Sequence, residues 1–160
     1  MSGNDVSEPE LRHACALSLG GRGVLIRGAS GSGKSSLLLS LLRRGEAAGL
    51  EARLVADDQV IVKREGETVR LHTPNGIAGL LEVRGIGILR LPFAASCRLD
   101  LVVDLVERDA LERLPGPENG TTRVLGREVE RLCLAARDPA FGADVVLTLM
   151  GCGVERVATD

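Results

Sequence analysis

The residues Gly28-Ala29-Ser30-Gly31-Ser32-Gly33-Lys34-Ser35 constrain this chain more than any other stretch, because they fit G-x-x-x-x-G-K-[ST] in full. An apolar run, Val24-Leu25-Ile26-Arg27, leads into them. The segment from Lys34 to Arg44 that follows is rich in helix formers, has cations in its last turn, and has Gly45 as a terminator. Strand, glycine loop, helix is the order this predicts. Glycines here let successive backbone N–H groups converge on phosphate oxygens that side chains would obstruct. The helix N-terminus adds unpaired N–H groups and a partial positive charge. Lys34 is then placed to reach the β and γ phosphates of a nucleotide such as ATP, and the Ser35 hydroxyl to ligate Mg²⁺. Gly28 to Ser35, with Ser36 behind them, are the candidate nucleotide-binding residues. A flexible Gly/Ser turn that happened to contain a lysine would not need a strand before it and a leucine-rich helix after it.

The rest of the composition narrows the partners. At 160 residues, 44% hydrophobic and 26% charged, the chain supports one domain, read as 12–153 between polar tails at 1–11 and 154–160. A formal net charge of −2 lacks the basic footprint of nucleic-acid binding, and an aromatic content of 1%, with no Trp or Tyr, offers no stacking platform for bases. Lys34 and Lys63 are the only lysines among the basic residues, and one of them lies in the loop. Cys15, Cys97, Cys133 and Cys152 are far apart, without zinc-ligand spacing, and read as small buried hydrophobes. The segment from Met1 to Glu10 is acidic and has no apolar run, so it is neither a signal nor a transit peptide, and no stretch approaches a membrane span. A soluble, cytoplasmic, reduced protein is expected.

Along the chain, His13 to Leu19 reads as a strand and Gly20-Gly21 as a turn. Arg53-Leu54-Val55-Ala56 is a buried strand ending in Asp57-Asp58. Val60–Arg64 and Thr68–Leu71 form a hairpin around Glu65-Gly66-Glu67. Pro74 is expected to open a short helix through Leu80, followed by a glycine-broken apolar segment from Leu81 to Leu89. Arg98–Val106 is a further strand and Leu114–Gly120 a loop. Pro139–Met150 is left as helix or strand, because periodicity does not separate the two over so short a run.

Asp57 and Asp58, at a strand end some twenty residues past the loop, are placed to hold Mg²⁺ through water or to take a proton from a hydroxyl nucleophile. In isolation they would read as a strand exit. Glu82 and Arg84 flank Val83, so an extended backbone puts both on one face, where a carboxylate completes a metal site and a guanidinium neutralises phosphate. The competing reading is a local ion pair. His13 lies on the first strand; His72 has no chemical context.

Taken together, His13-Ala14, the Gly28–Ser35 loop, Leu54-Val55-Ala56-Asp57-Asp58 and Leu81-Glu82-Val83-Arg84-Gly85-Ile86-Gly87-Ile88 occur in one order. In that order they resemble the catalytic domain of bacterial HPr kinase/phosphorylase, in a short form without the family's N-terminal domain. The resemblance is best over residues 13–107. It implies an α/β fold, the P-loop sandwich of the HPr kinase type, related to phosphoenolpyruvate carboxykinase. It further implies an ATP- and Mg²⁺-dependent serine kinase acting on the phosphocarrier HPr or an HPr-like protein, which in the family also works as a phosphorylase, and a homo-oligomer, hexameric by analogy. On this resemblance His13, Lys34, an aspartate of the Asp57-Asp58 pair and Arg84 match catalytic positions, and Ser35 and Glu82 match Mg²⁺ ligands. Residues Ala136 to Gly142 stand where the family has P-x-x-P-G-R-N, with Arg137 near its arginine but out of register. The family's C-terminal helices have no counterpart after Gly153. Two rivals stand beside this reading: a small-molecule kinase using Arg123 to Arg137 as an arginine-rich lid, and a nucleotide-sensing regulatory module, whose mark would be loss of the carboxylates that are present here.

Overall fold

A computed structural model describes residues 7–151, Val154 and Val157. In chain order the strands are β1 (Glu10–Arg12), β2 (Cys15–Leu19), β3 (Arg22–Gly28), β4 (Ala52–Ala56), β5 (Val60–Glu65) and β6 (Thr68–His72). They continue as β7 (Leu80–Val83), β8 (Gly87–Arg90), β9 (Ser96–Val106), β10 (Thr121–Val124) and β11 (Arg127–Ala135). Two α-helices, α1 (Lys34–Ala47) and α2 (Pro139–Gly151), and two short 3-10 helices, Arg108–Ala110 and Pro117–Gly120, complete the described elements. No helix among the described residues is long and apolar enough to cross a membrane.

The organising strand is β9. Its first residues pair antiparallel with β6, and the remainder lies parallel between β3 and β11. One curled sheet of nine strands results, ordered β1-β5-β6-β9-β3-β2-β4, with β11 and β10 branching from β9. The strand changes partners at a bulge: Gly23 pairs with Leu99 but Val24 with Leu101, leaving Asp100 as the extra residue. An extra residue reverses side-chain alternation. Cys97 and Leu99 accordingly face one core, while Leu101, Val103 and Leu105 face the other. The Asp100 carboxylate closes the bulge by accepting the Gly23 N–H at 3.2 Å. Glycine is required at 23, since a Cβ there would stand 2.0 Å from the Arg98 carbonyl oxygen.

Both cores are aliphatic, as the near absence of aromatics dictates. In the first, α1 and α2 lay Leu37, Leu38, Leu41, Ala143 and Val146 on Leu17, Val24, Ile26 and Val103. In the second, β5 and β6 close Val60, Val62, Val69 and Leu71 over Ala16, Leu25 and Val102 from the opposite face of the same strands. The Gly28–Ser35 loop leaves the C-terminal end of β3 between these layers.

Several sequence expectations are corrected. Residues 1–11 are not tail throughout, because β1 pairs with β5 at Glu10↔Val62 and Leu11↔Ile61; residues 1–6 of that tail, and 152–153, 155–156 and 158–160 at the other end, lie outside the described residues. Helix α1 continues through Gly45, a position where a Cβ would meet Leu19 Cδ2 at 2.9 Å. It ends instead at Ala47, with Ala48 as its C-cap and Gly49 beyond it left-handed at φ 86°. Residues 74–79 are irregular and turn, with Leu80 already in β7, and no helix forms because Gly76 (φ 86°) and Gly79 (φ 74°) both take left-handed backbone. Arg123–Arg137 is largely the β10–β11 hairpin bound into the sheet, which removes the basis for an arginine-rich lid. The 139–150 run resolves as helix, and 81–89 as the separate hairpin β7–β8.

Candidate functional site

Lys34 begins α1, and Gly33 before it is left-handed at φ 93° with no side chain to cap the helix. The first N–H groups of any α-helix lack intrahelical acceptors, so here they face the loop and its cleft. Gly31 is left-handed as well, at φ 79°. The Ser32 N–H bonds the Ala29 carbonyl at 3.0 Å, and the Ser32 side chain turns inward, its Oγ buried without a partner. A Cβ at Gly28 would lie 2.5 Å from that Oγ and 3.3 Å from the Leu105 carbonyl oxygen, so a larger residue there would displace the Ser32 side chain. The Lys34 side chain is 7% exposed and folds back over the loop, its Nζ donating to Gly28 O at 3.0 Å and Ala29 O at 3.2 Å.

Asp57 and Asp58, just past β4, separate into two arrangements. Ser35 Oγ donates to Asp57 Oδ1 at 2.7 Å, which joins the helix start to the end of β4. The same oxygen accepts the Cys15 thiol at 3.4 Å. Asp58 takes left-handed backbone (φ 70°) and turns to the other side, where its Oδ1 lies 3.1 Å from His13 Nε2. Both members of that second pair are well exposed. Burial above all, reinforced by the Asp57 charge, pushes the Cys15 thiol up to about 12. It is therefore a neutral donor, not a thiolate.

A cleft of about 610 Å³ gathers these groups. Ser30, Gly31, Gly33, Lys34, Ser35 and Ser36 line it from the loop and the start of α1, with His13, Asp57 and Asp58. The β7–β8 hairpin contributes Glu82, Val83 and Arg84. Every candidate site residue read from the sequence is thus in the cleft or, for Gly28, Ala29 and Ser32, in the loop that shapes it. Ser35, Asp57 and Glu82 bring oxygen donors of the kind Mg²⁺ takes to the same cleft, while no group of three or more His, Cys, Asp and Glu among the described residues is placed to hold a metal ion. Cys15 lies beneath Asp57 and bonds to it.

Two residues at the cleft were not among the candidate site residues: Cys15, read as a buried hydrophobe, and Arg137, read as near the family's arginine but out of register. Cys15 looked like an ordinary buried cysteine, and only the cross-strand pairing that ends with Ala16 opposite Ala56 brings it beside Asp57. Arg137 lines the cleft; its N–H bonds Ser32 O at 2.9 Å and its guanidinium pairs with Glu107. Its left-handed backbone (φ 58°) at the exit from β11 was the hidden determinant.

A glycine loop between strand and helix, with an inward lysine and a carboxylate on the following serine, defines an α/β domain of the P-loop kind. Residues 4–147 match the family model described as HPr Serine kinase C-terminal domain, and the chain belongs to that family. It is similar to the HPr kinase/phosphorylase of Chlorobium phaeobacteroides (strain BS1), 36% identical over 128 residues, covering 73% of this chain and 36% of that protein. The Geobacillus sp. (strain WCH70) protein of the same name is 38% identical, with 78% of this chain and 42% of the relative covered. For Bordetella pertussis (strain Tohama I) the values are 39%, 76% and 41%. The chain thus spans well under half the length of these curated relatives. Among solved structures, that of the Hpr(Ser) kinase/phosphatase from Coxiella burnetii superimposes with a TM-score of 0.71 at 26% identity, covering 88% of this chain and 95% of that one.

Proposed function

We propose that this chain is the catalytic domain of an ATP- and Mg²⁺-dependent kinase that phosphorylates a serine of HPr or an HPr-like phosphocarrier. The observation that carries this reading is the convergence of Lys34, the Ser35–Asp57 pair and the His13–Asp58 pair on one cleft. Names of the relatives supply the acceptor: each is an HPr kinase/phosphorylase.

In this proposal the loop N–H groups and the start of α1 hold the triphosphate, and Lys34 exchanges its two loop carbonyls for the β and γ phosphates. Mg²⁺, held by Ser35 and Glu82 with Asp57 behind Ser35, would neutralise charge on the phosphates. Of the two aspartates, Asp58 is the better base. Asp57 Oδ1 already accepts two hydrogen bonds, whereas the Asp58 carboxylate lines the open cleft and pairs with His13. The acceptor seryl oxygen bonds to the γ phosphorus, the bond to the β–γ bridging oxygen breaks with its electrons leaving on ADP, and the seryl proton passes to Asp58. His13 orients that carboxylate. Arg84, which lines the cleft from the β7–β8 hairpin, offsets charge on the phosphoryl group in transit. On a phosphoserine with inorganic phosphate as the attacker, a phosphate oxygen bonds to the seryl phosphorus, the phosphorus–seryl oxygen bond breaks to release pyrophosphate, and Asp58 returns the proton to the departing seryl oxygen; Arg137, paired with Glu107, lines the same cleft.

Incubation of the purified chain with Mg·ATP and an HPr-like carrier should give a phosphoserine visible by mass spectrometry, and Lys34→Ala should abolish it. Undiminished transfer by Lys34→Ala would overturn the assignment.

A further inference from the structure

Cys15 occupies a position that the mechanism above does not use. It is fully buried on β2, with its thiol 3.4 Å from Asp57 Oδ1 and 4.0 Å from Ser35 Oγ. Two separate strand registers put it there. Across β3 it pairs with Ile26, two residues before the loop begins; across β4 a register shift between Ala16 and Leu17 brings the strand end beside Asp57. The thiol therefore lies between the strand that delivers the loop and the strand that delivers the carboxylates.

We propose that Cys15 is a positioning residue that sets the Mg²⁺ affinity of the nucleotide site by fixing Asp57. Its S–H and the Ser35 O–H both donate to Oδ1, which pins the carboxylate through one oxygen and leaves Oδ2 without a hydrogen bond among the described residues. A Ser35 hydroxyl whose proton is committed to Asp57 presents its lone pairs outward, the orientation a hard cation needs. Partners behind a metal ligand commonly tune affinity in this way. A valine at 15 would fill the same space but donate nothing, and Asp57 would gain freedom to swing away from Ser35. A serine would restore the donor. This inference rests on the reading of the loop as a Mg·nucleotide site.

The test is a Mg²⁺ titration of the binding of a fluorescent, non-hydrolysable ATP analogue, which needs no acceptor protein and no turnover. Cys15→Val is expected to raise the Mg²⁺ midpoint about three- to tenfold, the worth of one hydrogen bond, with Mg²⁺-free binding unchanged. Cys15→Ser should bring it back to within about twofold of wild type. In an Asp57→Asn background, Cys15→Val should have no further effect, because the residue it acts through is already altered. That comparison separates positioning from a loss of packing, which would persist in both backgrounds. A wild-type midpoint in Cys15→Val, or equal impairment in Cys15→Ser, overturns the role of Cys15 and leaves the site reading intact. Absence of any Mg²⁺-dependent binding in the wild type overturns the site reading, and this inference with it.

Discussion

Ser35 and Asp57, 22 positions apart in the chain, are joined by a 2.7 Å hydrogen bond that ties the first turn of α1 to the end of β4. The neighbouring Asp58 makes no part of this bond and pairs with His13 instead. Adjacent carboxylates are thereby given different work. Asp58→Asn should lower the rate of phosphotransfer by about 10²- to 10⁴-fold, the usual worth of a general base, with nucleotide binding retained. Asp57→Asn should chiefly raise the Mg²⁺ requirement. Single-turnover transfer beside nucleotide titrations measures both. If Asp57→Asn alone silences transfer at saturating Mg²⁺, the division is reversed.

How far the sequence spoke depended on how local the cause was. The loop was legible because its glycines answer to backbone geometry within a few residues, and the 60–71 hairpin for the same reason. The helix expected at Pro74–Leu80 failed because Gly79 serves a contact elsewhere: its carbonyl accepts Leu91 N–H at 2.8 Å, and a Cβ on it would sit 2.9 Å from the Leu91 oxygen. Gly45 misled in the opposite sense, since its smallness serves packing on Leu19 and not helix termination. At the cleft, residue types and spacing singled out the aspartates, Glu82 and Arg84, the resemblance added His13, and all of them line the same cavity. The separation of Asp57 from Asp58 hangs on one left-handed residue, and the place of Cys15 on a register shift between strands. Neither leaves a pattern in the chain.

The bulge at Asp100 gives a prediction about the fold itself. Gly23→Ala drives a Cβ to 2.0 Å from the Arg98 oxygen, a backbone atom that cannot rotate aside. A loss of about 3 kcal/mol or more is expected in urea unfolding, because β9 must shift where it changes sheet partners. Gly66→Ala is the control: its φ of 64° costs strain, but no atom lies within 4 Å of the added Cβ. It should lose only about 1 kcal/mol. Equal losses would show that the bulge tolerates movement.

Asp104 sits between Arg27 and Arg131 on neighbouring strands, with Arg27 Nε and Arg131 Nε at 2.7 and 2.5 Å from its oxygens. Burial pushes its carboxyl up, but hydrogen bonds from the two arginines outweigh this and hold it below the usual value of 3.8. A depressed folded-state value means the contribution is fully present above the unfolded pKa and is lost as pH falls through the folded one. Stability measured by denaturant should therefore decline below about pH 4 in part through this residue. Asp104→Asn should weaken that decline and cost about 2 to 4 kcal/mol at pH 7, by leaving two arginines half-buried around a neutral group. An acid limb unchanged by Asp104→Asn would remove the residue from the pH dependence.

Thiol chemistry separates the cysteines by their surroundings. Burial pushes Cys15 up to about 12 and, acting against the nearby Arg70, lifts Cys97 to about 11. At pH 8 the thiolate fraction of either falls about a thousandfold or more below unity, and neither is open to reagent. Cys133, half-buried on β11, has the readiest access of the three described. Iodoacetamide at pH 8 followed by peptide mass spectrometry should label Cys133 first among the three described cysteines, with Cys97 and Cys15 protected until the protein unfolds. Addition of Mg·ATP should leave Cys133 labelling unchanged while slowing any labelling of Cys15, because a nucleotide in the cleft closes the route past Ser35 and Asp57. Early modification of Cys15 would mean that β2 and β4 part at their ends on the timescale of labelling.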